Sequence, residues 1–241
     1  MSAWFDKIKA DFVLNFVEGN RWKLLLNGFF YTLQITFIAM IIGIIIGVVV
    51  STIRSTYDMT KDDMRGGKKI VMSVLNTIAR LYLTVIRGTP VVIQLLIIYF
   101  VIFASSDNGV MVAALAFGIN SGAYVAEIIR GGIMSIDRGQ MEAGRSLGFN
   151  YLETMRYIII PQAFKNVLPS LANEFIALLK ETSVSGYVTV TDLTRAGNII
   201  RGKTFSPFMP LVAVALVYLL MVIVLTHFVG VLERRLRNSE R

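Results

Sequence analysis

Few residues in this 241-residue chain are equipped for covalent chemistry. There is no cysteine and a single histidine, His227, so disulfides, thiolate metal sites and cysteine nucleophiles are excluded. His227 lies in a long apolar run, where a lone histidine reads as a packed or hydrogen-bonded helix residue rather than a ligand. One stretch does spell a phosphate-binding pattern: Gly197-Asn198-Ile199-Ile200-Arg201-Gly202-Lys203-Thr204 fits GxxxxGK[ST] letter for letter. That pattern works between a strand and a helix of an α/β domain, where loop amides surround the phosphates. Here an amphipathic segment precedes it, and Phe205-Ser206-Pro207 and an apolar run follow. It is therefore read as a chance match in a turn, and the chain is expected to bind no nucleotide, metal or other cofactor.

The other chemistry lies in ionisable residues set among apolar ones. Arg80 and Arg87 are seven apart and share one helical face, as do Glu174 and Glu181, while Lys180 points elsewhere. Glu127 and Arg130 are three apart and can pair. Charges in such surroundings are costly, so they face a cavity or a partner, or hold helices together.

The elements that carry these residues follow from composition. Hydrophobic residues make up 55% of the chain and charged residues only 17%, against roughly 25% charged in a soluble domain. Four long runs carry no charge: 24–53, 88–106, 108–126 and 204–232. A helix needs about 20 apolar residues to cross the hydrocarbon core, so these runs predict an all-α polytopic membrane protein and exclude a soluble enzyme. The segments between them are too short to bury a core of their own.

Before the first run, Trp4, Ile8, Phe12 and Phe16 fall four apart, with Asp6, Lys7, Asp11 and Asn15 turned away. Residues 1–23 therefore predict an amphipathic interfacial helix rather than a signal peptide. Spans are expected over about 24–53, 70–106 with a bend or break at Gly88-Thr89-Pro90, 110–129 and 207–232. Gly131-Gly132 is expected to close the third. A fifth, over 168–190, is ambiguous because Glu174, Lys180 and Glu181 interrupt it. With five spans, Lys and Arg divide sixteen to seven; with four, sixteen to eight. Either division puts the amino end outside and 135–165 in the cytoplasm, and the Arg cluster just after the last span favours five. The net charge of +8 is thus a membrane-orienting excess, with no nucleic acid partner implied.

The most specific stretch reads Glu142-Ala143-Gly144-Arg145-Ser146-Leu147-Gly148, then nine residues, then Ile158-Ile159-Ile160-Pro161. It resembles the EAA signature of ABC importer permeases, with Gly144 in place of the second alanine and Ile160 in place of leucine. Arg87-Gly88-Thr89-Pro90, the run from Ala123 to Gly131 and Leu179-Lys180-Glu181-Thr182-Ser183 are similar to the polar amino acid branch, which handles histidine, glutamate, glutamine, arginine and opines. The residues suit the element: Ala143 and Gly144 allow close packing, Gly148 allows a reversal into a second helix, Pro161 stops it, and Glu142 can pair with a basic partner residue.

The resemblance implies a 24–241 ABC importer transmembrane domain with a cytoplasmic coupling helix in an EAA loop spanning 137–165. ATPase coupling would fall to Glu142, Ala143, Gly144, Ser146, Leu147, Gly148 and Pro161. Its implied partners are separate ABC ATPase subunits, which bind the ATP and Mg²⁺, a second identical or homologous permease subunit, an extracytoplasmic amino acid-binding protein and the lipid bilayer. The place implied is a prokaryotic cytoplasmic (inner) membrane, and the function is alternating-access import of a polar amino acid, with no covalent chemistry on this chain. A zwitterion needs a carboxylate and a cation or amide donors along its route. Asn120, Ser121, Tyr124, Glu127, Glu174 and Glu181 would supply them, although for each alone a packing role is the preferred reading. The alternative from another class is an ion-coupled secondary amino acid carrier; such carriers often show inverted repeats, and none is visible here.

Overall fold

A computed structural model describes residues 2–238, with side chains described for 4–236. Every regular element among the described residues is helical. The order is α1 (Ser2–Phe12), a π-helical turn (Val13–Val17), a 3₁₀ turn (Glu18–Asn20), α2 (Trp22–Thr60), α3 (Gly66–Gly88), α4 (Val91–Ile97), a second π-helical turn (Ile98–Ile102), α5 (Gly109–Met134), α6 (Arg138–Ser146), α7 (Tyr151–Thr154), a third π-helical turn (Met155–Ile159), α8 (Ile160–Glu181), a 3₁₀ segment (Thr182–Val188), α9 (Leu193–Thr204) and α10 (Phe208–Asn238). Among the described residues α2, α3, α5 and α10 are long and apolar enough to cross a membrane. The interruption expected at Gly88-Thr89-Pro90 separates α3 from α4. Thr89 is extended, the geometry a following proline enforces.

The described residues form two compact units. The first comprises the chain up to Ala39, Val91–Phe117 and Ile176–His227. Its core sets Leu179, Leu193, Val214 and Met221 against Leu25, Phe29 and Leu33. Asp192 caps α9, accepting from the backbone N–H of Arg195 at 3.0 Å and of Thr194 at 3.2 Å. Burial pushes the Asp192 carboxyl up to about 6, against the pull of those N–H groups. Thr32 accepts from Leu193 N–H at 3.1 Å, and Thr36 and Thr182 share a 3.4 Å hydroxyl contact.

The amino-terminal segment differs from expectation at one side chain. Trp4, Phe5 and Phe12 are exposed and Phe16 is buried, but Asn15, expected on the polar face, is fully buried. The π-helical turn is the reason, because its i→i+5 bonding adds a residue and rotates Asn15 inward. There its amide donates to Ser206 at 3.2 Å and accepts from the Thr204 hydroxyl at 2.8 Å.

The second unit comprises Met40–Pro90, Gly118–Phe175 and the chain from Phe228 onward. Here α2 lies directly on α5: a Cβ on Gly47 would sit 2.4 Å from a Val125 methyl, so only glycine permits this approach. Leu83 of α3 joins Ala123 and Ala126 of α5, and Tyr82 donates to the carbonyl of Ile119 at 2.6 Å.

Two expected stops do not occur. Gly131-Gly132 leaves α5 unbroken to Met134, and Gly132 instead gives Val167 of α8 room to approach. Pro161 does not end a helix; it is the second residue of α8, and Pro169 lies inside the same helix. A mid-helix proline removes one N–H and pushes on the preceding turn, and the π-helical turn at Met155–Ile159 supplies the local widening.

Candidate functional site

The EAA-like stretch builds a helical hairpin in the second unit. Asp137 caps α6 by accepting from Gly139 N–H at 2.7 Å, and Gly148 makes the reversal at φ +90°, a region most side chains avoid. Asn150 and Glu153 then form a reciprocal capping box that starts α7. At the crossing, a Cβ on Gly144 would lie 2.6 Å from Thr154 Cγ2 and 2.9 Å from its hydroxyl. Gly144 and Thr154 are both buried, so the glycine is the contact point of the two arms. Ala143 does not share that role, for it is exposed beside Glu142, Ser146 and Leu147. Large apolar side chains stand on the hairpin's outer surface among exposed polar ones: Leu147 is 75% exposed and Leu152 74%, with Phe149 and Tyr157 also exposed.

Behind the hairpin, Arg145 reaches Asp63 of the α2–α3 connection at 3.7 Å, and Tyr151 donates to Thr56 of α2 at 3.5 Å. Burial pushes the Tyr151 hydroxyl above the ordinary tyrosine value, the bond to Thr56 pulling the other way. A cleft of about 920 Å³ separates α6 from the end of α2.

Five of the six candidate path residues lie in the second unit, and Glu181 belongs to the first. Asn120 and Ser121 are buried, and the Ser121 hydroxyl donates to Glu174 of α8 at 2.8 Å. Glu127 pairs with Arg130 at 3.4 Å, as the spacing predicts, and with Arg87 of α3 at 3.8 Å. Arg87 also lies over the Tyr124 ring, 5.6 Å from its centre. Arg130 reaches Asp58 of α2 at 3.4 Å, closing a network over three helices.

Residues 70–238 match the family described as the binding-protein-dependent transport system inner membrane component. The chain belongs to that family. The glutamine transport system permease protein GlnP of Escherichia coli K12 is 40% identical over 68% of this chain and 77% of its own length. The arginine transport system permease protein ArtQ of Bacillus subtilis 168 is 38% identical over 68% of this chain and 76% of its own. A crystal structure of an amino acid ABC transporter with histidines superposes with a TM-score of 0.77 at 39% identity, covering 88% of this chain and 94% of that one. The inward-facing methionine transporter MetNI superposes at 0.75 with 20% identity over 91% of this chain and 99% of the other, a likeness of fold.

The permease fold also disposes of the phosphate-binding pattern. Residues 197–204 lie wholly within α9, and a Cβ on Gly197 would meet Val214 at 2.5 Å, so no amide-lined loop exists there. Sequence reasoning missed Arg54, Asp58 and Thr154. The first two are four apart at the end of α2, a pairable spacing hidden by the apolar run before them.

Proposed function

We propose that this permease carries a polar amino acid inward through the cytoplasmic membrane, driven by separate ATPase subunits seated on the α6–α7 hairpin. The observation that carries the reading is the hairpin's surface, where Glu142, Leu147 and Leu152 are all exposed. Exposed apolar side chains on a surface that also carries charge suit a protein partner rather than water. Five spans are proposed, α8 with its charges being the fifth, so that the amino end is outside and the hairpin inside. A second permease subunit closes the path, and an extracytoplasmic binding protein delivers the cargo. ATP stays on the partner subunits, and this chain contributes conformational change rather than chemistry.

ATP binding would draw two such hairpins together and open the path outward, and hydrolysis would reset it. That is a two-state element biased from another subunit. Along the path, Ser121 with Glu174, Tyr124 with Glu127, and Asn120 are the proposed polar steps of the second unit. The named relatives, permeases of glutamine and arginine systems, support an amino acid cargo. No feature of the chain favours the ion-coupled carrier.

The absence of cysteine makes the test direct. A single Leu147→Cys should cross-link to a cysteine in the ATPase subunit of the assembled transporter. A hairpin that stays unlabelled by the ATPase and bathed in solvent overturns the reading. Uptake competition among arginine, histidine, glutamine and glutamate then names the cargo.

A further inference from the structure

The second unit holds a pocket of about 480 Å³ whose charge the chain does not balance. Arg80, Thr84 and Arg87 enter it from one face of α3, Arg54 from α2 and Glu127 from α5. Counting Arg130 and Asp58 beside it, four guanidinium groups meet two carboxylates. Both carboxylates are engaged: Arg130 reaches Asp58 and Glu127 at 3.4 Å each, and Arg87 reaches Glu127 at 3.8 Å. Arg54 and Arg80 have no such ion pair among the described residues, and the buried Arg54 Nε has no hydrogen-bond partner.

Arg80, Thr84 and Arg87 are exposed along α3 and Arg54 is half-buried, so the surplus guanidinium groups line an open site that an anion can reach. The planar guanidinium fork of donors matches a flat, two-oxygen anion better than water or a single carbonyl. The Thr84 hydroxyl adds a neutral donor. Glu127 stands on the same wall and offers the one anion to a nearby ammonium. The volume is within the usual range for small-molecule pockets, about 300–1,000 Å³.

We infer that this pocket grips the α-carboxylate of the cargo amino acid through Arg54 and Arg80, while Glu127 exchanges its Arg87 partner for the cargo ammonium. This rests on the amino acid reading above. It deepens that reading by assigning carboxylate recognition to α2 and α3.

The test uses the full transporter, permease with its ATPase subunits, in nanodiscs of neutral phosphatidylcholine. Two probe pairs are L-arginine against agmatine and L-glutamine against 4-aminobutyramide, each pair differing by the carboxylate. Saturation-transfer NMR should show the wild type preferring the amino acid of at least one pair by about tenfold. Arg54→Gln and Arg80→Gln should each erase most of that preference while leaving the decarboxylated probe unchanged, and Arg80→Lys should restore part of it. Monodisperse assembly on size exclusion shows that a variant has folded.

If the variants keep full discrimination, the inference is overturned and the transport reading stands. If wild type binds neither member of either pair, the inference is overturned, while the transport reading stands or falls on the Leu147→Cys cross-link. If native mass spectrometry instead finds phosphatidylglycerol retained by wild type and lost in Arg80→Gln, with amino acid selectivity unchanged, the site is one for lipid phosphate and the carboxylate assignment is wrong.

Discussion

The Asp192 junction of the first unit and the α6–α7 hairpin of the second are both built from short helices joined at tight caps, yet they leave their side chains in opposite states. At the junction Thr32, Thr36, Thr182, Ser185 and Asp192 are fully buried, and each finds a partner inside the chain. At the hairpin only Gly144 and Thr154 are buried, and leucine and aromatic side chains stand in the open. The first region is complete in one polypeptide. The second is half of an interface, so damage there should show in coupling rather than in folding.

The sharpest way to break that contrast is charge reversal at the exposed site. Glu142→Lys should reduce cargo-stimulated ATP hydrolysis in the assembled transporter to the unstimulated rate, while the protein inserts and melts as wild type does. Unaltered stimulation would remove the hairpin from the coupling role. Next in size is Gly144→Ala. Its new methyl must displace Thr154, and overpacking of this kind costs about 1–3 kcal/mol. The double variant Gly144→Ala with Thr154→Ala should recover most of both coupling and thermal stability; failure to recover would mean the contact is not the cause.

The junction should respond through stability instead. Asp192→Ala removes a helix cap at a cost of about 1 kcal/mol, while Asp192→Asn keeps an acceptor there without the charge. The sign of the pH effect follows from the raised carboxyl. With the folded value near 6 and the unfolded near 3.8, its stabilising effect is complete below the unfolded value and is lost as pH rises through 6. Wild type should therefore melt higher at pH 5 than at pH 7, by about 2–4 °C for each kcal/mol lost. Asp192→Asn should flatten that slope, and an equal slope in both would discard the assignment. The smallest expected effect is that of Asn15→Ala, which frees Thr204 and Ser206 from their shared partner. Faster proteolysis near the amino end, with uptake unchanged, is the expected readout.

How much of this was legible depends on the length of the signal. Apolar runs are long and redundant, so the spans announced themselves, and local pairs such as Glu127 with Arg130 followed from helical spacing alone. What escaped was either a phase error or a contact between distant segments. One extra residue in the turn at Val13–Val17 sends Asn15 inward, and no pattern of residue types marks that turn. Pro161 looked like a stop because the widened turn before it, which accommodates the ring, is equally silent. Gly131-Gly132 looked like an end because the need for room beside Val167 is a fact about α8, 35 residues on. Of the candidate path, the pairing of Ser121 with Glu174 joins positions 53 apart, which spacing within one helix cannot reveal.

The fit between Gly144 and Thr154 reaches beyond this chain. A loop transplanted from a permease with alanine at the first of these places would arrive with a methyl that this scaffold has already filled from the other arm. Chimaeras that swap α6 alone should therefore fail for reasons of shape, whichever motor they meet, whereas those that exchange both arms as one cassette keep the internal fit and expose only the outward chemistry to the new partner.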